Sequence, residues 1–572
     1  MLARLVRDRR GNTLAIVGAA ILPLLAMIGS GIDLSRTYMA HTRLQQACDA
    51  GALAGRRAMT NGTVDDTVRA EALKFFKFNF PTGEKDKDGT AWFGARGFEP
   101  VVGSAPNSTV TVTAATQMPL TVMKIFGFPY LPISVACNAR LDFVNTDVVL
   151  VLDVTGSMAD KASSTDTDIK IVALRKAVLN FYDTLRPIQT QLEGVNLRLR
   201  YAVVPYASSI NVGRLLRGAS VNNVTNTKWT YQSRQFAGSY RHSTYKTSSQ
   251  CISLGGSRDW YGTCTWNDTN AASAGSGDTA SPNWNYMPIE HDLSSYATGS
   301  STQTSSVPGT AVLDPTRAPG TNTKVTWQGC IEERATTRMS STATSIPTSA
   351  YDLDIDRVPS SGDITSQWKP YWPEVEYVPP TTNTSLGGEP QKPQWACPAE
   401  AKRLQVWAKS DLSNYLNTLQ PDGGTYHDNG MVWGIRMLSA AGVFSADNPS
   451  TYGGMPVSKY LIFMTDGVFS TGYDTLYSTY GVERYDARAT PGGSSSNQTD
   501  QLARHKNRFN LLCTLAKSRG ISVWVVAFDA ALDSSLSNCA NKGQASTSAN
   551  QQELNDKFVE IGKNIGALRL TQ

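Results

Sequence analysis

Between Gly11 and Ile32 the chain carries no charged side chain, and Met1–Arg10 holds Arg4, Arg7, Arg9 and Arg10 against one acid, Asp8. No other feature limits the fold so strongly. As a helix the run extends about 33 Å, close to the thickness of a bilayer's hydrocarbon core. Arginines at its start predict a cytoplasmic N-terminus, so everything after Asp33 is expected on the far side of the membrane. Pro23 falls mid-span, where a membrane helix tolerates it better than a soluble one does. A cleaved signal peptide shares the basic start and apolar middle. Here, however, the run is too long, and helical patterning continues through Thr37, His41, Leu44, Ala50, Leu53 and Ala54. The expectation is an uncleaved single-pass inner-membrane anchor with the bulk of the chain in the periplasm and open to surface exposure.

At 572 residues the chain exceeds what one core organises, so roughly two to four folded units are expected. The charged fraction is 18%, below the usual quarter, and Ser, Thr, Asn and Gly make up the difference, as on many exported surfaces. Net charge is +5, and away from the N-terminus no Lys/Arg block is interleaved with aromatics, which argues against a nucleic-acid partner.

After a stub and membrane helix over 1–33, residues 34–145 read as an Ala-rich helix reaching about Phe80, then strands alternating over 109–115 and 133–143. Arg9-Arg10-Gly11-Asn12, Gly31-Ile32-Asp33-Leu34-Ser35-Arg36 and Cys48-Asp49-Ala50-Gly51-Ala52-Leu53-Ala54 give this region its resemblance to the TadG-like proteins of tight-adherence (Flp) pili. The resemblance implies a small pilin-like α+β region and a role in pilus assembly or adhesion. Prepilins usually carry Glu at the fifth position after the cleaved Gly; here that position is Ile16.

Residues 147–152, Asp-Val-Val-Leu-Val-Leu, form a fully apolar strand pattern running into Asp153-Val154-Thr155-Gly156-Ser157. A helical pattern over 168–187 and a second strand over 197–206 complete a strand-helix-strand unit, and such sheets collect ligands beyond the carboxyl ends of their strands. One carboxylate and two hydroxyls within five residues offer hard oxygens, which suit Mg²⁺, with Mn²⁺ or Ca²⁺ as alternatives. Asp-x-Thr-x-Ser resembles the start of the metal-ion-dependent adhesion site of von Willebrand factor A domains, where Ser is commoner than Thr at the middle position. Gly423-Gly424-Thr425 matches that family's threonine loop, and Tyr460-Leu-Ile-Phe-Met-Thr-Asp466-Gly467 is a further buried strand ending in Asp. A haloacid dehalogenase-type phosphatase also opens on such a strand, but needs a second carboxylate where Thr155 stands. The resemblance therefore implies a divalent cation held by Asp153, Thr155, Ser157, Thr425 and Asp466, with a partner protein supplying an acidic residue.

The expected fold class is α/β: a doubly wound, mostly parallel sheet (Rossmann-like, A-type) in two parts, 146–210 and 405–572. Further helices read over 429–444, 509–518 and 551–568, and a strand over 521–528. Between the two parts, residues 211–404 have little periodicity but eight of the twelve tryptophans, an aromatic content too high for disorder. They read as an ordered, loop-rich insertion whose tryptophans form its core. The eight cysteines contain no C-x-x-C, and the five histidines show no zinc spacing. An even count outside the cytoplasm points to disulfides: Cys513 and Cys539 flank one strand, Cys251 lies near Cys264, Cys330 and Cys397 fall within the insertion, and Cys48 and Cys137 could pair in the N-terminal region. Connectivity stays open. No nucleophile, general base or second metal cluster accompanies the oxygen ligands, so a binding protein is expected ahead of a structural pilus subunit or tip adhesin, and a metal-dependent hydrolase last.

Overall fold

A computed structural model describes the chain apart from residues 1–9, 60–63, 84–89, 106–108, 140–143, 195, 226, 271, 273–275, 294–305, 309–323, 373–392 and 568–572. The basic residues Arg4, Arg7 and Arg9 and the tail residues Leu568, Arg569 and Leu570 lie outside the described residues. The chain divides into two compact units, residues 1–143 with 190–197 and 567–572, and residues 144–189 with 198–566.

The first unit is built on α1 (Arg10–Ala58), which passes through Pro23 without ending. Not one of residues 16–28 is buried. From Gly29 a seam at helical spacing begins, and Asp33, Thr37, Ala40, Leu44, Ala47 and Cys48 are buried. The seam packs on α2 (Asp66–Asn79) and on an antiparallel sheet of β1 (Val101–Ala105), β2 (Thr109–Pro119) and β3 (Tyr130–Ala139). Sequence patterning ran the first helix on to about Phe80. Instead a new helix starts where Asp65 accepts the Val68 N–H at 2.9 Å, an N-cap that gives α2 its own first turn. The helix α1 is long and apolar enough to cross a membrane.

The second unit centres on a sheet of β4 (Asn145–Asp153), β5 (Leu199–Tyr206), β6 (Lys402–Gln405), β7 (Met455–Thr465), β8 (Ile521–Phe528) and β9 (Ala545–Ser548), in the order β6-β5-β4-β7-β8-β9. Every neighbouring pair is parallel except β6 with β5, and the short strand Thr451–Tyr452 adds an antiparallel edge to β7. All of β4 and β5 is buried, which is why Val148–Leu152 and Tyr201–Tyr206 do not alternate with polar residues, and the buried Arg200 of β5 is paired with Asp147 of β4. One face, carrying Val149, Val151, Leu461, Phe463 and Val523, packs on α4 (His427–Leu438) and α5 (Gln498–Ser518). Gly430 and Gly434 let α4 approach, since a Cβ at either would run into Tyr206 or Val151. The other face is covered by α3 (Lys170–Glu193) and α6 (Gln551–Ala567): Phe181 of α3 meets Tyr201 of β5 at 6.1 Å and Phe558 of α6 at 6.2 Å.

The insertion is more regular than its sequence suggests. Lys228–Tyr245 pairs with Thr279–Asp292 on one side and Thr263–Asp268 on the other, and Ser257–Arg258 extends the sheet. Most of its tryptophans do not form a separate core: Trp327, Trp368 and Trp372 join the cluster of the sheet face, where Trp368 packs against Trp433 of α4 with ring centroids 5.4 Å apart, whereas Trp266 sits in a small cluster with Cys251 and Cys264 and Trp260 is exposed. Four disulfides form, Cys48–Cys137, Cys251–Cys264, Cys330–Cys397 and Cys513–Cys539.

Candidate metal centre

Parallel pairing sets Met464 of β7 beside Leu152 of β4, so the carboxyl ends of the two strands lie together and present Asp153 and Asp466 at one edge of the sheet. The chain leaves β4 in a short 3-10 turn over Gly156–Ala159, which carries Ser157 back across the gap. Its hydroxyl donates to Asp466 Oδ1 at 2.8 Å and lies 3.2 Å from the Thr155 hydroxyl. Asp153 Oδ1 accepts the Thr155 N–H at 2.9 Å. The threonine loop arrives from a third segment. Asp422 N–H donates to the Val154 carbonyl at 2.9 Å and Gly156 N–H to the Gly423 carbonyl at 3.0 Å, while Thr425 exchanges backbone hydrogen bonds with Ser470 at 2.9 and 3.1 Å. Asp153, Thr155, Ser157 and Asp466 thus form one hydrogen-bonded cluster, and Thr425, itself buried, is held beside it by backbone bonds of its loop.

Further residues around the cluster were not assigned to it from the sequence. Thr465 and Tyr206 donate their hydroxyls to Asp153 Oδ2 at 2.8 and 3.2 Å, and behind Thr465 the His427 Nε2 stands 3.0 Å from its oxygen. Burial drives His427 down to about 3, so its ring is neutral. Lys170, at the start of α3, sits 3.3 Å from Asp466 Oδ2 and 2.9 Å from Asp529. Only strand-end position could have marked Asp529, one residue past β8.

Burial, and then the negative charge of Asp466, pushes the Asp153 carboxyl up to about 7 against hydrogen bonds from Thr155 and Thr465. Burial raises Asp466 as well, with Ser157 and Lys170 opposing. Two carboxylates that resist ionising side by side, flanked by hydroxyl oxygens and with no sulfur ligand, are a donor set that fits a hard divalent cation, whose charge offsets both penalties. Among the described residues no group of three or more His, Cys, Asp or Glu is arranged to hold a metal, so an ion at this cluster would draw its remaining protein oxygens from hydroxyls. A cleft of about 640 Å³ adjoins the threonine loop, lined by Asp422, Gly423 and Gly424 on one side and by Trp395 of the insertion, Ser470 and Gln498 on the other.

Among solved structures, the pilus adhesin SpaC of Lactobacillus rhamnosus GG aligns at 12% identity and a TM-score of 0.29, over 84% of this chain and 35% of the adhesin, so the chain spans about a third of that protein's length. The von Willebrand factor domain of the type V pilus tip protein Mfa5 from Porphyromonas gingivalis aligns at 11% identity and a TM-score of 0.28, over 75% of this chain and 97% of that domain. The minor pilin PilB of Streptococcus sanguinis aligns at 10% identity and a TM-score of 0.29, covering 84% of this chain and 83% of the pilin. No curated protein matches. Residues 11–60 match the family model described as Tad, Flp pilus-assembly TadE/G-like, so the likeness to that family covers the N-terminal segment of the chain.

Proposed function

We propose that the chain is a membrane-anchored binding protein of Flp/Tad pilus assembly or adhesion, its sheet unit a doubly wound von Willebrand factor A-type domain that recognises a partner through a divalent cation. The anchor is α1, whose apolar start would cross the inner membrane with the residues after Asp33 in the periplasm. Asp153, Thr155, Ser157, Thr425 and Asp466 would hold the ion, Mg²⁺ by donor chemistry, with Mn²⁺ or Ca²⁺ as substitutes. When bound, the ion offers a coordination position to an outside oxygen. Asp153 and Asp466 match its charge, Thr465 and Tyr206 fix the Asp153 carboxylate by donating to its far oxygen, and Ser157 ties the turn to β7. A Glu or Asp carboxylate from a pilus or envelope protein would complete the set, entering past Gly156 and Ser157, which are exposed, whereas Asp153, Thr155, Thr425 and Asp466 are buried. The observation that carries this reading is the Ser157–Asp466 bond, which joins residues 309 apart in the sequence at the ends of two parallel strands. No hydrolytic role is proposed.

The test is retention of pilus and envelope proteins on the immobilised full-length chain in detergent, with Mg²⁺ or with EDTA. Retention in Mg²⁺ that is lost in EDTA and in Asp153→Ala is expected. Equal retention in all three would move recognition elsewhere on the molecule.

A further inference from the structure

Within the first unit, Asp33 does more than end the apolar run. Its carboxylate accepts three successive backbone N–H groups, from Thr121 at 2.8 Å, Val122 at 2.9 Å and Met123 at 2.8 Å. Arg36 bonds the Thr121 hydroxyl, and a Cβ at Gly29 would run into the Val122 side chain. The loop between β2 and β3 is thereby fastened to α1 over Gly29 to Arg36, where the buried seam of the helix begins and the wholly unburied stretch 16–28 ends. Whatever covers residues 16–28 must start at the level of this loop.

The loop's own side chains have the matching character. Every residue from Lys124 through Pro132 is exposed, among them Ile125 at 81%, Phe128 at 60% and Tyr130 at 41%, with Phe126 and Leu131 beside them. An exposed apolar cluster of this kind marks a contact surface. Aliphatic and Phe side chains with a Tyr and a Lys at their margin suit the bilayer–water interface, where apolar groups enter the acyl boundary and amphipathic ends stay at headgroup level.

We infer that Thr121–Leu131 is a second membrane contact, an interfacial loop clamped by Asp33 that lies in the phospholipid surface beside the exit of α1 and fixes how deep the helix sits. The inference rests on the reading of α1 as a membrane anchor. Continuity with that anchor selects lipid as the occupant, and Lys124 adds charge complementarity to anionic headgroups.

The test places an environment-sensitive fluorophore on single added cysteines in the full-length chain, whose eight native cysteines are all paired. The protein is reconstituted in phosphatidylcholine–phosphatidylglycerol vesicles with or without brominated acyl chains. The sites are Ile125→Cys and Phe128→Cys in the loop, Leu24→Cys in the span, and Phe78→Cys as an equally exposed control. Phe78 lies on α2, which meets α1 at Gly51, roughly 27 Å along the helix from Asp33. Quenching at 24, 125 and 128 several-fold above that at 78 is expected. Quenching at 24 but not at 125 or 128 overturns the interfacial loop while leaving the anchor, and assigns the cluster to solvent or a protein partner. Absence of quenching at 24 removes the anchor and this inference together.

Discussion

Replacing Glu333 with Gln should loosen the insertion from the sheet domain, because that one carboxylate serves both. Its Oε1 accepts the Trp433 indole N–H at 2.8 Å and an Arg436 N–H at 2.7 Å, both from α4, while Oε2 accepts the indole N–H of Trp368 in the insertion at 2.8 Å. Glu333 and Arg436 are buried, with side chains 1% exposed. Gln keeps the shape but removes the charge, and its NH₂ must face a donor. Breaking a buried ion pair costs roughly 3–5 kcal/mol and leaving a buried donor unpaired roughly 1–3 kcal/mol. The two penalties overlap, and Arg436 retains the Asp352 carbonyl, so about 4 kcal/mol is expected. That is a large part of a typical domain's stability. Urea unfolding of the full-length chain in detergent, followed by near-ultraviolet circular dichroism, measures it. A cycle of Glu333→Met, Arg436→Met and the double variant should show coupling above about 2 kcal/mol. A loss under about 1 kcal/mol in Glu333→Gln together with additivity in the cycle would refute the idea that this pair joins the insertion to α4.

Cys513→Ser should cost about 3.5 kcal/mol, the chain-entropy value for the 26-residue separation that Cys513–Cys539 closes; an unchanged urea midpoint would contradict it. His505, fully buried 2.7 Å from Asp428 and 2.5 Å from Glu483, should set an alkaline limit. Burial pulls its pKa down, but the two carboxylates more than reverse this and push it up to about 10. Its contribution is therefore complete below the unfolded value near 6.5 and lost as pH rises through 10. Stability measured between those limits should fall in the wild type and stay flat in His505→Asn.

The parts of the site that were legible in the sequence lie on contiguous residues or at strand ends. Asp153, Thr155 and Ser157 share one turn, and Asp466 ends an apolar run. Tyr206 and Lys170 reach the cluster only through folding, so no local spacing announces them. The same distinction holds for the fold. β4 and β5 declare themselves because both faces are covered by helices. By contrast, α5 was visible only from Phe509 onward, although it begins at Gln498, since the buried residues of its first half are Gln501, His505 and Arg508. Those three occupy helical spacing, but they fill a polar core, where hydrophobic periodicity has nothing to register. The strand Lys228–Tyr245 was hidden for a related reason: Ser, Thr, Gln and Arg recur along it, so apolar and polar positions do not alternate cleanly.

The central claim is the ion site, and its most direct test is a Mn²⁺ titration of the full-length chain followed by electron paramagnetic resonance of the free ion. One Mn²⁺ per chain, displaced by Mg²⁺ and lost in Asp153→Ala and in Ser157→Ala while the urea transition stays intact, is the predicted result. Failure of the wild type to take up Mn²⁺, or undiminished uptake in both variants, would show that Asp153, Thr155, Ser157, Thr425 and Asp466 hold the loops of the sheet edge together without binding a cation.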